Sequence, residues 1–319
     1  MGKKATFPQI DLNRVRTIEL KQRRSKVDTS LMGKPLNATG ARTFFNSLPD
    51  FLKASDLIEY IASVVKARKK GLPFHIMMGA HVIKVGLSPI VIDLIIRDIL
   101  TGVSFNSAGL IHDLELSFAG KTSEDVEAGL HDGSFGMSEI TGLMFADVSV
   151  LAENNKIGLG EAAGKYITEK KAPYKKYSIF AAAYRKGIPA TIHAGIGTDI
   201  VAQMPTFNAG AVAEASYRDF KILSRILSDA DRGGVVANIG SAVLLPEVFL
   251  KALTVARNIK KQPRRIVTAN FDMINHYRPT QNVVRRPTSK GGKGFSFTGH
   301  HEIMIPLLAW GLKAYTEKK

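Results

Sequence analysis

The nine residues PFHIMMGAH (73–81) decide how this chain is read. Apolar residues run almost unbroken up to Gly79, without the in–out alternation of a strand that keeps one face in water. A run of that kind belongs to a strand buried on both faces, the usual state of strands in a parallel sheet. Working backward, SDLIEYIASVVKARKKG (55–71) has helical periodicity, with Ser55 or Asp56 as cap and Gly71 as stop. Working forward, SPIVIDLIIRDILTG (88–102) reads as a helix with Ser88 as N-cap, Pro89 at its first position and Gly102 past its end.

The alternation continues. VSFNSAGLI (103–111) reads as the next strand, and TSEDVEAGLHDG (122–133) as a helix whose Thr122-to-Asp125 spacing resembles a capping box. Residues 137–186 are mainly helical, after which PATIHAGI, SYRDFKILSRILSDADRG, GVVANIG, LPEVFLKALTVARNIKK, RRIVTANF and HHEIMIPLLAWGLKAY alternate strand and helix. The expected fold is α/β: an open, doubly wound, mostly parallel sheet with helices on both faces, Rossmann-like. Pattern is weakest in residues 1–40 and 275–299. The expected organisation is a basic N-terminal extension over 1–40 followed by a single α/β domain over 41–319.

Composition narrows the function classes. The chain of 319 residues is 45% hydrophobic and carries no cysteine, which excludes disulfides, thiolate metal sites and a cysteine nucleophile. The start MGKKATFPQIDLNRVR lacks the apolar core of a signal peptide, and no apolar run is long enough to span a bilayer, so a cytoplasmic location is expected. The net charge is +16, with basic residues concentrated at Arg14, Arg16, Lys21, Arg23, Arg24 and Lys26 and again over 257–293. Residues 112–139 are instead acidic, with Asp113, Glu115, Glu124, Asp125, Glu127, Asp132 and Glu139. A local carboxylate cluster in so basic a chain suits a cationic ligand beside an anionic cofactor. Nucleic acid is the minor alternative, because the basic runs lack interleaved aromatics and any helix-turn-helix or RNA-binding signature.

Ligands of open α/β sheets bind beyond the carboxyl ends of the strands. The segments expected there are MGAH (78–81), HDLE (112–115), HAGIGTD (193–199), NIGSA (238–242) and NFD (270–272). GLGEAA (158–163) formally matches a dinucleotide fingerprint, but it follows ENNK rather than a strand and reads as a helix start. GIGTD (195–199) follows a strand and is a candidate cofactor turn through Thr198, with Asp199 as a candidate substrate acid. SKGGKGF (289–295) has the wrong spacing for a Walker loop, and the neighbours His300 and His301 diverge on a helix, so no metal site is expected.

From HIMMGAHVIKVGLSP onward the chain resembles the deoxyhypusine synthase family, at low identity but in consistent order. LSFAGKTSEDVEAGL, IPATIHAGIGTDI, NIGSAVLLPEVFLKAL, TANFDMINHYRP and HHEIMIPLLAW are similar to successive family segments. The resemblance implies an NAD-dependent homotetramer with sites at subunit interfaces, oxidising a polyamine such as spermidine and passing an aminobutyl group through a lysine imine. Carried over by position, it implies cofactor contacts at Gly120, Glu124, Thr198, Gly240, Ser241, Asp272 and His81. Asp199 matches an acid of the family's substrate region; Asp113 of the acidic rim and His300, near the place of a late family aspartate, are the further substrate candidates. The catalytic set becomes Lys293 (with Lys290 as the alternative lysine), His193 and Glu124.

The sequence also departs from the family. No tryptophan precedes Gly292, Pro246 stands where the family has a polyamine-binding histidine, and MINHYRP replaces an acid-rich turn after Asp272. A relative that binds nucleotide or amine without the family reaction is therefore the alternative to an active transferase.

Overall fold

The computed structural model describes residues 11–20, 23, 25–260 and 264–316; Lys21 and Arg24 of the basic run, and residues 1–10 of the expected extension, lie outside the described residues. In chain order the elements are β1 (Ser25–Asp28), α1 (Ala41–Ser47), α2 (Leu52–Lys69), β2 (Phe74–Met78), α3 (His81–Lys84) and α4 (Ser88–Ile96). There follow β3 (Gly102–Asn106), α5 (Ser107–Ala119), β4 (Lys121–Glu124), α6 (Val126–Asp132), α7 (Glu139–Asn155), α8 (Leu159–Glu169) and α9 (Ile179–Lys186). The last third holds β5 (Ala190–His193), α10 (Ala209–Ala230), β6 (Val235–Ile239), α11 (Leu244–Ile259), β7 (Val267–Asp272), α12 (Tyr277–Pro279), β8 (Lys293–Thr298) and α13 (His301–Thr316).

Six strands form one parallel sheet in the order β5-β3-β2-β6-β7-β8. From β2 the chain builds outward through β3 to β5, crosses back over the sheet, and builds the other half from β6 through β7 to β8. The strand order therefore reverses between β2 and β6. This is the doubly wound Rossmann order, and the reversal opens a crevice at the carboxyl ends of those two strands.

Period-2 geometry explains the unbroken apolar strands. On β2, Phe74, Ile76 and Met78 join the core that includes Tyr60, Ile61 and Val64 of α2 and Leu308 and Leu312 of α13. Met77 points the other way, into a second cluster with Leu223 and Leu227 of α10 and Phe249 and Leu253 of α11. Both faces are covered, so both sets of side chains are apolar except His75, which is buried with a hydrogen bond to Ser104.

Three local expectations change. The strand expected over 103–111 ends at Asn106, whose side-chain Oδ1 accepts the Gly109 N–H at 3.2 Å and caps α5. His112–Glu115 are thereby helical rather than at a strand end. Thr122 belongs to β4, Ser88 is the first residue of α4, and Ser55 and Asp56 lie inside α2, which begins at Leu52, so none acts as the expected cap. Residues 275–299 are ordered structure: α12, a π-helical stretch Thr280–Arg285 and the edge strand β8.

The N-terminal residues are stitched to the domain. β1 pairs antiparallel with β4, with Ser25 opposite Glu124 and Val27 opposite Thr122, and Ile18 bridges Ser138. The first edge strand of the main sheet is covered by α10: Ile192 N–H donates to Asp219 Oδ2 at 2.7 Å, while Ser216 Oγ donates to Ile192 O at 3.0 Å. The same Asp219 oxygen accepts Gly160 N–H at 3.0 Å. The GLGEAA segment is thus the start of α8, with a carboxylate of the chain itself where an anionic ligand would otherwise lie.

Candidate functional site

A cleft of about 560 Å³ opens where the strand order reverses. Its walls come from the ends of the two central strands, Gly79 and Ala80 after β2 and Gly240–Leu244 after β6. Asn106 at the end of β3, the first turns of α5, Glu124 at the end of β4 and the turn carrying Thr198 and Asp199 complete it. The two central turns touch: a Cβ on Gly79 would lie 2.2 Å from Gly240 O. Gly240 has φ +64°, and a Cβ there would meet the His301 ring at 2.7 Å. Only glycine satisfies both the backbone angle and the space.

The charged residues lining the cleft are Glu124, Asp199 and Lys84. Glu124 accepts Gly136 N–H at 3.2 Å and lies 3.7 Å from Arg23 Nη1; burial nonetheless raises its carboxyl above the ordinary range. Asp199 accepts Gly195 N–H at 2.9 Å and is likewise raised, again mainly by burial. Lys84, on α3, is half-buried in the same cleft, and burial lowers its ammonium pKa against the opposing pull of Glu115 and Glu124. Among the described residues no hydrogen bond or ion pair occupies its Nζ.

Beside Glu124 lies a closed polar network. Arg23, 5% exposed, reaches Glu115 with Nη1 at 2.9 Å and Nη2 at 2.8 Å. Thr122 Oγ1 donates to Glu115 Oε2 at 2.6 Å and Thr141 Oγ1 to Oε1 at 2.9 Å. Burial alone would raise the Glu115 carboxyl, but these donors and the Arg23 charge hold it below its ordinary value. His112, which lines the cleft, places Nδ1 2.7 Å from Thr122 Oγ1, and burial pushes its pKa down to about 4.

The structure gathers some of the expected site residues here and separates others. Glu124, Thr198, Asp199, Gly240 and Ser241 all line the cleft. His81 lies at its margin, with its ring centroid 5.4 Å from that of His301. Asp272, beside Gly240's hydrogen-bond partner Phe271, is buried with Oδ2 unpartnered. Within the histidine pair, His301 is the buried member turned against Gly240, whereas His300 is exposed and 3.7 Å from Glu302.

Four expected residues are not brought to the cleft. Lys293 opens β8 at the amino end of the sheet, paired with Glu59 of α2, because its strand runs parallel to the others; Lys290 is exposed on the preceding turn. Asp113 is fully buried on the inner side of α5, where its carboxylate accepts Ser178 Oγ at 2.5 Å and Ile179 N–H at 2.8 Å and so anchors the start of α9. Burial raises its pKa to about 7. Gly120 is the left-handed C-cap of α5, packed on Tyr174, about 18 Å along the helix from the cleft end. His193 is turned into the sheet, in a buried line His75–Ser104–Thr191–His193 with spacings of 2.7, 2.6 and 3.1 Å, and burial lowers its pKa to about 3.

Sequence reasoning missed Lys84 and His301 as cleft or margin residues, and it placed His112 at the ligand-binding rim but on a strand end rather than on α5. For His112 a signal existed: once Asn106 is taken as an N-cap, Ala108, Ile111 and His112 fall on one helical face.

The site suits a dinucleotide at the crossover. Two helix N-termini, those of α5 and α11, open on the cleft; Val243 gives α11 no side-chain cap, and Ser241 Oγ accepts the Leu245 N–H at 3.3 Å. The two N-termini offer donors for a pyrophosphate, and Asn106 ends the strand whose terminus usually carries the ribose-binding acid. The first turn departs from the usual fingerprint, holding Gly79 alone. Among the described residues no group of three or more His, Asp or Glu converges as metal ligands, and no helix is long and apolar enough to cross a membrane.

No protein-family model matches the chain. No curated protein matches it. Solved structures do. An arginine dihydrolase from the ornithine–ammonia cycle in cyanobacteria, ArgZ, superposes with TM-score 0.51 at 13% identity over 82% of this chain and 33% of that one. A cysteine-to-alanine variant of AgrE, in binary complex with L-arginine, gives TM-score 0.50, 13% identity and the same coverages, 82% and 33%. The chain thus spans about a third of the length of these two proteins. An Entamoeba histolytica protein, provisionally assigned as a deoxyhypusine synthase, matches 81% of this chain and 87% of its own at TM-score 0.47 and 10% identity, too loose a likeness to bear on family. These likenesses concern the fold alone: the chain has an α/β Rossmann-like fold built on a parallel sheet.

Proposed function

We propose that the chain is an enzyme that binds NAD in the crossover cleft and uses it to oxidise a small amine, with transfer of an alkylamine group. The observation that carries this reading is the juxtaposition, in one cleft at the strand-order reversal, of Glu124 and Asp199 with Lys84, whose Nζ has no partner among the described residues. The family resemblance read from the sequence points the same way.

Bound NAD would supply a two-electron acceptor for the hydride on the carbon beside the amine nitrogen. The α5 and α11 N-termini would face its phosphates, and the turns at Gly79 and Gly240 would admit it close to the backbone. Glu124 and Asp199 would hold the cationic nitrogens. Lys84 takes the covalent role that sequence position assigned to Lys293. Partial burial favours its neutral amine, which can attack a C=N carbon, form a new C–N bond and expel the original amine, with the proton lost by Lys84 passing to that leaving nitrogen.

Incubation with NAD and spermidine tests the reading through nicotinamide reduction and diaminopropane release; absence of both refutes it. A Lys84→Met variant that still binds NAD but transfers nothing supports the lysine assignment. The missing glycines of the first turn favour one other outcome, NAD binding without turnover, which would make the chain a non-catalytic relative. The same resemblance adds a homotetramer, which light scattering on the purified chain would test.

A further inference from the structure

We infer that His112 is a ligand-binding residue of the cleft, held by Glu115 and Thr122 as the tautomer whose bare Nε2 accepts a hydrogen bond from a protonated amine. The argument rests on counting hydrogens. Glu115 is fully buried against Arg23, and all its neighbours in the network are donors: two guanidinium nitrogens, Thr122 and Thr141. An ionised carboxylate only accepts, so the single Thr122 hydroxyl hydrogen is committed to it. The 2.7 Å contact between Thr122 Oγ1 and His112 Nδ1 then needs its hydrogen from the imidazole. His112 must carry its proton on Nδ1, which leaves a lone pair on Nε2.

That nitrogen makes no hydrogen bond with any described residue, and it is not among the buried polar atoms lacking a partner, so the cleft reaches it. A lone pair open to a cleft asks for a donor. Carboxylates and the phosphodiester groups of a dinucleotide have none to offer at neutral pH, whereas an alkylammonium has up to three. Glu124, which also lines the cleft, supplies the opposite charge. Because burial keeps the imidazole neutral, a bound cation meets no like charge from it. The inference deepens the amine reading of the cleft and rests on it, while naming the residues that recognise the amine and the role of the N-terminal residue Arg23 in setting them up.

The test uses the full chain with nitrogen-15-labelled histidine. The His112 ring should show a protonated Nδ1 and an unprotonated Nε2, and putrescine added without NAD should shift Nε2 towards the protonated-type value. Thr122→Val should remove the tautomer preference. His112→Phe should weaken putrescine binding about tenfold or more, as loss of a hydrogen bond to a charged group does, while circular dichroism stays that of the wild type. His112→Gln, which restores an acceptor, should recover part of the affinity. An Nε2–H tautomer, undiminished binding by His112→Phe, or an Nε2 shift produced by NAD but not by putrescine would each overturn the inference. Failure of nicotinamide reduction with these signatures intact would instead refute only the proposed reaction.

Discussion

Replacing Arg23 by alanine isolates the ion pair on which the cleft wall is built. The variant removes the two guanidinium hydrogen bonds to Glu115, at 2.9 and 2.8 Å, and with them the charge that faces a fully buried carboxylate. Breaking a buried pair in this way costs about 3–5 kcal/mol, because the remaining charge is left without compensation. The sign of the pH dependence follows from Glu115, whose folded pKa is held below its ordinary value by Arg23 against burial. Its contribution is present above the unfolded carboxylate pKa and lost as pH falls through the folded one. In Arg23→Ala burial is opposed only by the remaining neighbours such as Thr122, and Glu115 titrates higher, so the gap between variant and wild type narrows in acid. Urea denaturation at neutral and mildly acidic pH measures this, and Arg23→Met with Glu115→Leu closes a double-mutant cycle in which the pair should lose far less than the sum of the singles. A single-variant cost under about 1 kcal/mol, or a gap that widens in acid, would refute the argument.

Other expectations are simpler. Lys293→Ala should change stability by less than about 1 kcal/mol and leave amine turnover intact, since its pair with Glu59 is half-exposed; a large loss of turnover would return Lys293 to the site. Gly240→Ala should cost about 1–2 kcal/mol for its left-handed backbone, displace His301, and abolish dinucleotide binding measured by calorimetry. Asp219 titrates near 8 because it is buried, well above its unfolded value of 3.8. Stability should therefore fall as pH rises from about 4 to about 8, and Asp219→Asn should flatten that fall in a series of denaturation midpoints.

The architecture was readable because a strand packed on both faces has no room for alternation, and residues 73–80 show none. The site was harder, for reasons that differ by residue. Asp113 carries the charge expected of a substrate ligand, but its carboxylate faces Ser178, 65 positions away, and no local pattern announces that partner. His193 ends a strand as expected, yet its ring follows Thr191 into the sheet rather than the rim. Lys293 was assigned by order along the chain; the strand it begins is parallel to its neighbours, so its own start lies at the end of the sheet opposite the cleft. His112 and Glu115 were noticed as acidic-segment residues but assigned to a strand end, because the Asn106 cap was passed over.

The cover that α10 gives to β5 has a consequence for self-association. An uncovered outer strand would present Ile192 N–H and C=O as a template on which a second copy could add by strand pairing. Asp219 and Ser216 consume both groups, and Ser216 also accepts Ala194 N–H at 2.9 Å. Sheet extension from that side is blocked by the chain itself, so any assembly of copies must be built from helix and loop surfaces or from the opposite margin, where β8 lies.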